Sequence, residues 1–248
     1  MRFPFLVFLA SFVALWISVQ VGIFFRTRRP LKDDEREDFK LVQGATLTLL
    51  GLIIGFSFSM ATSRYDLRKK CEAEEANAIG TALHRSNLLP VADDRDERSL
   101  LRKYLAERIL FYAARDEGQL QRVQRDTDDL ETKLWSSVTA VAEKQPTFMT
   151  ALVVSGINDV LNSQGYTQAA WLNRIPVAAW GLMGMISIFG GWSIAYGARS
   201  TGLSLLLVFP LLVSISFYLI ADLDSPRGGL IRVLPQNLVS LSQGLDQP

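Results

Sequence analysis

Apolar positions in this chain follow two unlike rhythms. Residues 3–25, 41–63, 175–198 and 200–221 contain no Asp, Glu, Lys or Arg. Each run exceeds the roughly 18 apolar residues that a helix needs to cross a hydrocarbon core of about 30 Å. Between the second and third runs the pattern changes to helical stripes. Leu67, Cys71, Ala78, Ala82 and Leu89 recur at spacings of four or seven. Leu101, Leu105, Ile109 and Tyr112 form a second stripe, and Leu130, Leu134, Val138 and Val141 a third. Leu152, Val153, Ile157, Val160 and Leu161 form a fourth, which Gly165 is expected to break. Such stripes predict amphipathic helices that bundle in water. No breaker follows the second run before Gly80, so its helix is expected to continue beyond the bilayer for several turns.

The predicted class is all-α: a polytopic membrane protein with four transmembrane helices and a helical extramembrane bundle between spans two and three. Its parts are residues 1–63 with spans one and two, 64–174 as the extramembrane helical region, 175–221 as a transmembrane hairpin, and 222–248 as a C-terminal tail. The first run ends in Arg26-Thr27-Arg28-Arg29 without a small-residue cleavage pattern, so it reads as an uncleaved span. Pro176 opens the third span, where its missing N–H is tolerated, and Pro210 is expected to kink the fourth. A tight connection around Arg199 and Gly202 makes spans three and four an antiparallel hairpin. Counting Lys and Arg near the spans gives seven on one side, mostly in the loop from Arg26 to Lys40. The other side has eight, including Arg2, Arg64, Arg68, Lys69 and Lys70. That balance leaves the side of residues 64–174 open.

Composition changes the picture only once it is mapped. The 248 residues are 49% hydrophobic with a net charge of +1, which averages two unlike regions. Residues 64–174 hold 16 of the 26 basic and 17 of the 25 acidic side chains. Near-neutral charge argues against a nucleic-acid partner. One cysteine, Cys71, excludes an intramolecular disulfide, and one histidine, His84, excludes two-His metal motifs. Cys71 reads as a buried structural thiol and His84 as a residue near a helix C-terminus. The acidic run from Asp93 to Glu97 lacks the ligand spacing of an EF-hand and reads as a solvated loop and helix start. Glu72, Glu74 and Glu75 read as a solvated face. No phosphate-binding, nucleotide-binding, nucleophile-elbow or zinc-protease motif occurs. No catalytic residue, metal or cofactor is expected, and an enzyme is disfavoured.

The second span is the candidate for function. Gly51, Gly55 and Ser59 repeat every four residues, and Gln43, Thr46, Thr48, Ser57 and Thr62 add polarity. Small residues allow close helix approach, which is the simpler reading. So many polar groups should face protein or water rather than lipid, so the sharper reading is a pore-lining helix.

Several stretches resemble the bacterial bestrophin-like family of unknown function. They are Gly55-Phe56-Ser57-Phe58-Ser59-Met60 with Ser63-Arg64-Tyr65-Asp66, the segment from Glu74 to Ala82, Asn173-Arg174-Ile175-Pro176, and Ala221-Asp222-Leu223-Asp224-Ser225-Pro226-Arg227-Gly228-Gly229 running on to Val233. The resemblance spans residues 40–233 and is distantly similar to bestrophin channels. Where bestrophins carry Arg-Trp-Trp after a tyrosine, this chain has Leu67-Arg68-Lys69-Lys70, and their acidic calcium cluster has no match. The resemblance implies an oligomeric ion channel of the bacterial inner membrane, a homopentamer passing small inorganic ions. Its pore would be lined by Leu52, Phe56 and Ser59, or on the next face by Ile54 and Phe58, with Arg64 at the mouth. It also favours a cytoplasmic residue 64–174 region. The alternative is a non-conducting structural or signalling module that binds a partner through its helical region.

Overall fold

A computed structural model describes residues 4–199 and 203–245. Arg2, the Ser200 start of the fourth run and the Gly202 turn lie outside the described residues. All regular structure among the described residues is helical: α1 (Pro4–Arg28), α2 (Glu35–Ser86), α3 (Val91–Ala113), α4 (Glu117–Lys144), α5 (Phe148–Leu172), α6 (Val177–Gly197), α7 (Leu203–Asp224) and α8 (Gln236–Leu245). Four stretches are long and apolar enough to cross a membrane: Pro4–Arg28, Glu35–Ser86, Phe148–Gly197 and Leu206–Asp224. Within the third, α6 carries the uncharged sequence. The helices form two compact units, residues 1–65 with 174–232, and residues 66–173 with 233–248.

The first unit packs α1, the first half of α2, α6 and α7. Leu15, Leu50, Ala61, Ile175, Met183, Val213, Phe217, Ile220 and Leu223 form its buried cluster. Gly22 sets the approach of α1 to α6. A Cβ there would lie 2.5 Å from the Trp192 carbonyl oxygen and 2.8 Å from the Ala195 Cβ. Only a residue without a side chain fits so tight a crossing. Arg26 donates to the Ala198 carbonyl at 3.1 Å, satisfying a backbone group just past the end of α6.

The second unit packs the rest of α2 with α3, α4, α5 and α8. Ile79, Leu101, Leu105, Leu134, Val138, Val153, Ile157, Val160 and Leu238 are buried. Each such aliphatic side chain contributes about 1.5–3 kcal/mol. Local chemistry fixes the helix starts. Asp116 caps α4 by accepting from the Gln119 N–H at 2.7 Å, and Thr147 with Thr150 forms a reciprocal capping box on α5. The expected break at Gly165 does not occur, because α5 continues to Leu172. Gln164 and Thr167 on either side of it are buried. Their packing outweighs the roughly 1 kcal/mol that a glycine removes from a helix interior.

Candidate functional site

α2 presents two faces over the first unit. Leu50, Ser57 and Ala61 are buried, and Ile53 and Ile54 pack against the same cluster. Leu52, Phe56 and Ser59 lie together on another face, where Leu52 is 54% and Phe56 65% exposed. Spacings of four and three explain this, since such residues stack along one side of a helix. Phe58 is also exposed, whereas Ile54 leans on the core, so these two do not share one environment. A Cβ at Gly44, Gly51 or Gly55 would meet nothing among the described residues within 4 Å. These glycines therefore make no close helix contact among the described residues. Two threonine hydroxyls on this half of α2 turn back on their own helix. Thr46 donates to the Val42 carbonyl and Thr62 to the Phe58 carbonyl.

At the end of this face Arg64 is ion-paired. Its guanidinium lies 3.7 Å from Asp224, at the end of α7, and both side chains are largely buried. Asp224 also accepts from the Ile175 N–H at 3.0 Å, so one carboxylate joins α2, α7 and the segment before α6. Two residues earlier, buried Asp222 accepts from the Leu230 N–H at 2.9 Å and from the Ile231 N–H at 2.8 Å. It thereby folds the chain after α7 back over its own end. Gly229 makes this turn possible with φ +135°, and a Cβ there would collide with the Asp222 carboxylate. Asp222 and Asp224 were not expected as site residues. Their signal was available: carboxylates ending an uncharged span must find partners, and Gly228-Gly229 follows at once.

The second unit corrects the reading of the glutamates on α2. Glu74 is exposed beside Lys70, but Glu72 and Glu75 are fully buried. Glu75 accepts from Arg108 of α3, from the Tyr112 hydroxyl at 3.1 Å and from Thr167 of α5 at 3.2 Å. The Arg108 guanidinium also sits 4.4 Å above the Phe111 ring. Burial first, then the Glu75 charge, push the Tyr112 hydroxyl far above its ordinary range. Glu72 accepts from the Asn237 and Leu238 N–H groups at 2.9 and 3.1 Å, and from the Asn237 side chain. It serves as the N-terminal cap of α8 from another helix, where the helix dipole favours a negative charge. A charged residue in the core is tolerable only when so partnered.

The acidic run also needs correction. α3 begins at Val91, and Glu97 is fully buried rather than solvated. Leu67, expected on the apolar stripe, is exposed. Cys71 is buried, and burial followed by the Glu74 and Glu75 charges pushes its thiol up, away from the reactive thiolate. His84 lies in the last turn of α2. No cluster of three or more His, Cys, Asp or Glu side chains suited to a metal occurs among the described residues.

The Bestrophin-like domain matches residues 9–238 of this chain. No curated protein sequence matches it. In fold the chain is similar to crystal structures of a bacterial bestrophin homolog from Klebsiella pneumoniae. One is 14% identical with a TM-score of 0.65, and covers 98% of this chain and 99% of its own. A variant of that homolog with a single substitution gives 14% identity, a TM-score of 0.67 and the same coverages.

Proposed function

Since the chain belongs to the Bestrophin-like family, we propose that it is one subunit of an ion channel in the bacterial inner membrane, assembled as a homopentamer. The surrounding bilayer, further copies of the chain and small inorganic ions are its partners in this reading. Residues 64–174 stand outside the membrane, and the first half of α2 lines the path. The observation that carries the proposal is the uncovered face of α2. Leu52, Phe56 and Ser59 share it, and the chain itself packs α2 by other residues. Around an axis of identical subunits these positions form rings of leucine, phenylalanine and serine. Bulky apolar rings can gate a pore by dewetting, and the adjacent hydroxyls ease passage of an ion past them.

Arg64 borders the end of the path in company with Asp224. The pair, rather than a bare cation, is what a passing ion meets. Bare arginines would favour anions strongly, whereas a paired one leaves a weaker preference.

The test is ion flux through purified protein in liposomes. Flux that depends on the protein and that changes in Phe56→Ala supports the reading. A well-folded oligomer that passes no ion under any voltage, pH or gradient refutes it.

A further inference from the structure

The α3–α4 pair contains a buried carboxyl group with no ionic partner among the described residues. Glu97 lies one helical turn before Leu101 and two before Tyr104, and all three are fully buried. Among the described residues no protein group makes a hydrogen bond of good geometry to either of its carboxylate oxygens. Burial pushes the carboxyl up to about 7, and the Ser137 hydroxyl of α4 pulls the other way. An isolated ionised carboxylate in such surroundings neutralises rather than persists.

The charged neighbours have other engagements. On α3, Asp94 accepts from the Ser86 hydroxyl at 2.8 Å, and Asp93 is half-buried. Arg95 and Asp96 face outward. Arg98 donates to the Asn87 side chain and the Leu83 carbonyl. Arg102 donates to the Leu245 carbonyl. Arg108 is eleven residues away, about 16 Å along a helix, and is held by Glu75. On α4, Glu131 meets the Tyr104 hydroxyl, and Lys133, Glu143 and Lys144 are exposed. On α2, His84 is exposed and Arg85 pairs with Asp159 of α5 at 3.5 Å. α8, which packs on α3, has no titratable side chain.

We propose that Glu97 is a proton switch in the helical unit: the α3–α4 packing holds it as a neutral carboxylic acid, and its ionisation loosens α3 from α4. The device responds to pH and stands whether or not the chain conducts. Its sign follows from linkage. The folded chain binds this proton more tightly than the unfolded chain, whose carboxyl has the ordinary value of 4.5. The difference amounts to about 300-fold in proton affinity. Stability from this group is therefore full below about 4.5, falls as pH rises towards about 7, and is level above that.

Infrared titration of the full-length protein in detergent tests the switch. The expected result is a carboxylic-acid C=O band that vanishes with a midpoint near 7 and is absent from Glu97→Gln, whose amide cannot ionise. A band that survives in Glu97→Gln, or one that titrates only in the ordinary carboxylate range, overturns the proposal. If Glu97→Gln fails to fold, hydrogen exchange of the wild type decides. Peptides covering residues 91–100 and 133–141 should gain exchange relative to α5 as pH rises from about 4.5 towards about 7, after correction for intrinsic rates. A constant ratio overturns it.

Discussion

Replacing Arg108 with Met tests whether the buried ion pair organises the helical unit. Glu75 accepts two bonds from Arg108 and one each from Tyr112 and Thr167. Arg108→Met removes both guanidinium donors and leaves the carboxylate with two neutral hydroxyls. Each charge-assisted bond is worth about 1.5–3 kcal/mol, and breaking a buried pair typically costs about 3–5 kcal/mol. We expect Arg108→Met to lose about 4 kcal/mol, and Glu75→Gln a similar amount, because it strands the guanidinium. The double variant Glu75→Gln/Arg108→Met strands no charge, so it should lose much less than the sum. Thermal unfolding of the detergent-solubilised chain reads this out, at about 2–4 °C of Tm per kcal/mol. Trp171 is a local reporter, its ring 5.0 Å from Phe111 and 5.4 Å from Tyr112. Strict additivity of the two single losses would refute the reasoning. It would mean that the two charges are screened from one another despite their burial.

Other expectations follow from the first unit. Gly229→Ala forces a left-handed backbone position on an L side chain and displaces the Asp222 carboxylate from the Leu230 and Ile231 N–H groups. Backbone strain alone is about 1–3 kcal/mol; a Tm within error of wild type would count against this. Asp224→Asn keeps an oxygen for the Ile175 N–H but removes the negative charge beside Arg64. Reversal potentials under an ion gradient should then shift towards anions, and an unchanged potential would separate Arg64 from the conduction path. Phe56→Ala should raise leak through liposomes with little change in the subunit's own stability, because Phe56 is largely exposed on the subunit. A large stability loss without leak would instead mark it as a packing residue.

The four apolar stretches were legible because a bilayer demands a length and a composition that a single sequence displays openly. The helical class of the remainder was legible from its stripes. The full width of one buried face was not. Sequence alone favoured Leu67, Cys71, Ala78 and Ala82 as the inward face of α2; Cys71 and Ala82 are buried, but Leu67 is exposed, and Arg68, Glu72, Glu75 and Ile79 are buried as well. The buried face is wider than the apolar stripe and takes in charged positions beside it. Charged residues at core positions look like a solvated face until their partners are known, and those partners are distant. Arg68 donates to the Ala170 carbonyl, Glu75 holds Arg108, and Glu72 holds Asn237. α8 was hidden for the same reason: its ten residues are rich in Gln, Asn and Ser, and its cap comes from α2.

The same partner accounting separates two kinds of buried acid. Asp222, Asp224, Glu72 and Glu75 each accept from backbone or side-chain donors that fix a turn, a helix end or a helix contact. The purpose of such carboxylates is geometric. Glu97 is buried to the same degree, and the Ser137 hydroxyl approaches it without a hydrogen bond of good geometry. Packing alone would be served better by leucine at that position, since an unpaired carboxyl must give up its charge to remain there. A residue that stays in place only when protonated makes the unit sensitive to the proton concentration around it. Burial without partners, rather than burial itself, is therefore the mark that distinguishes the switch from the scaffold.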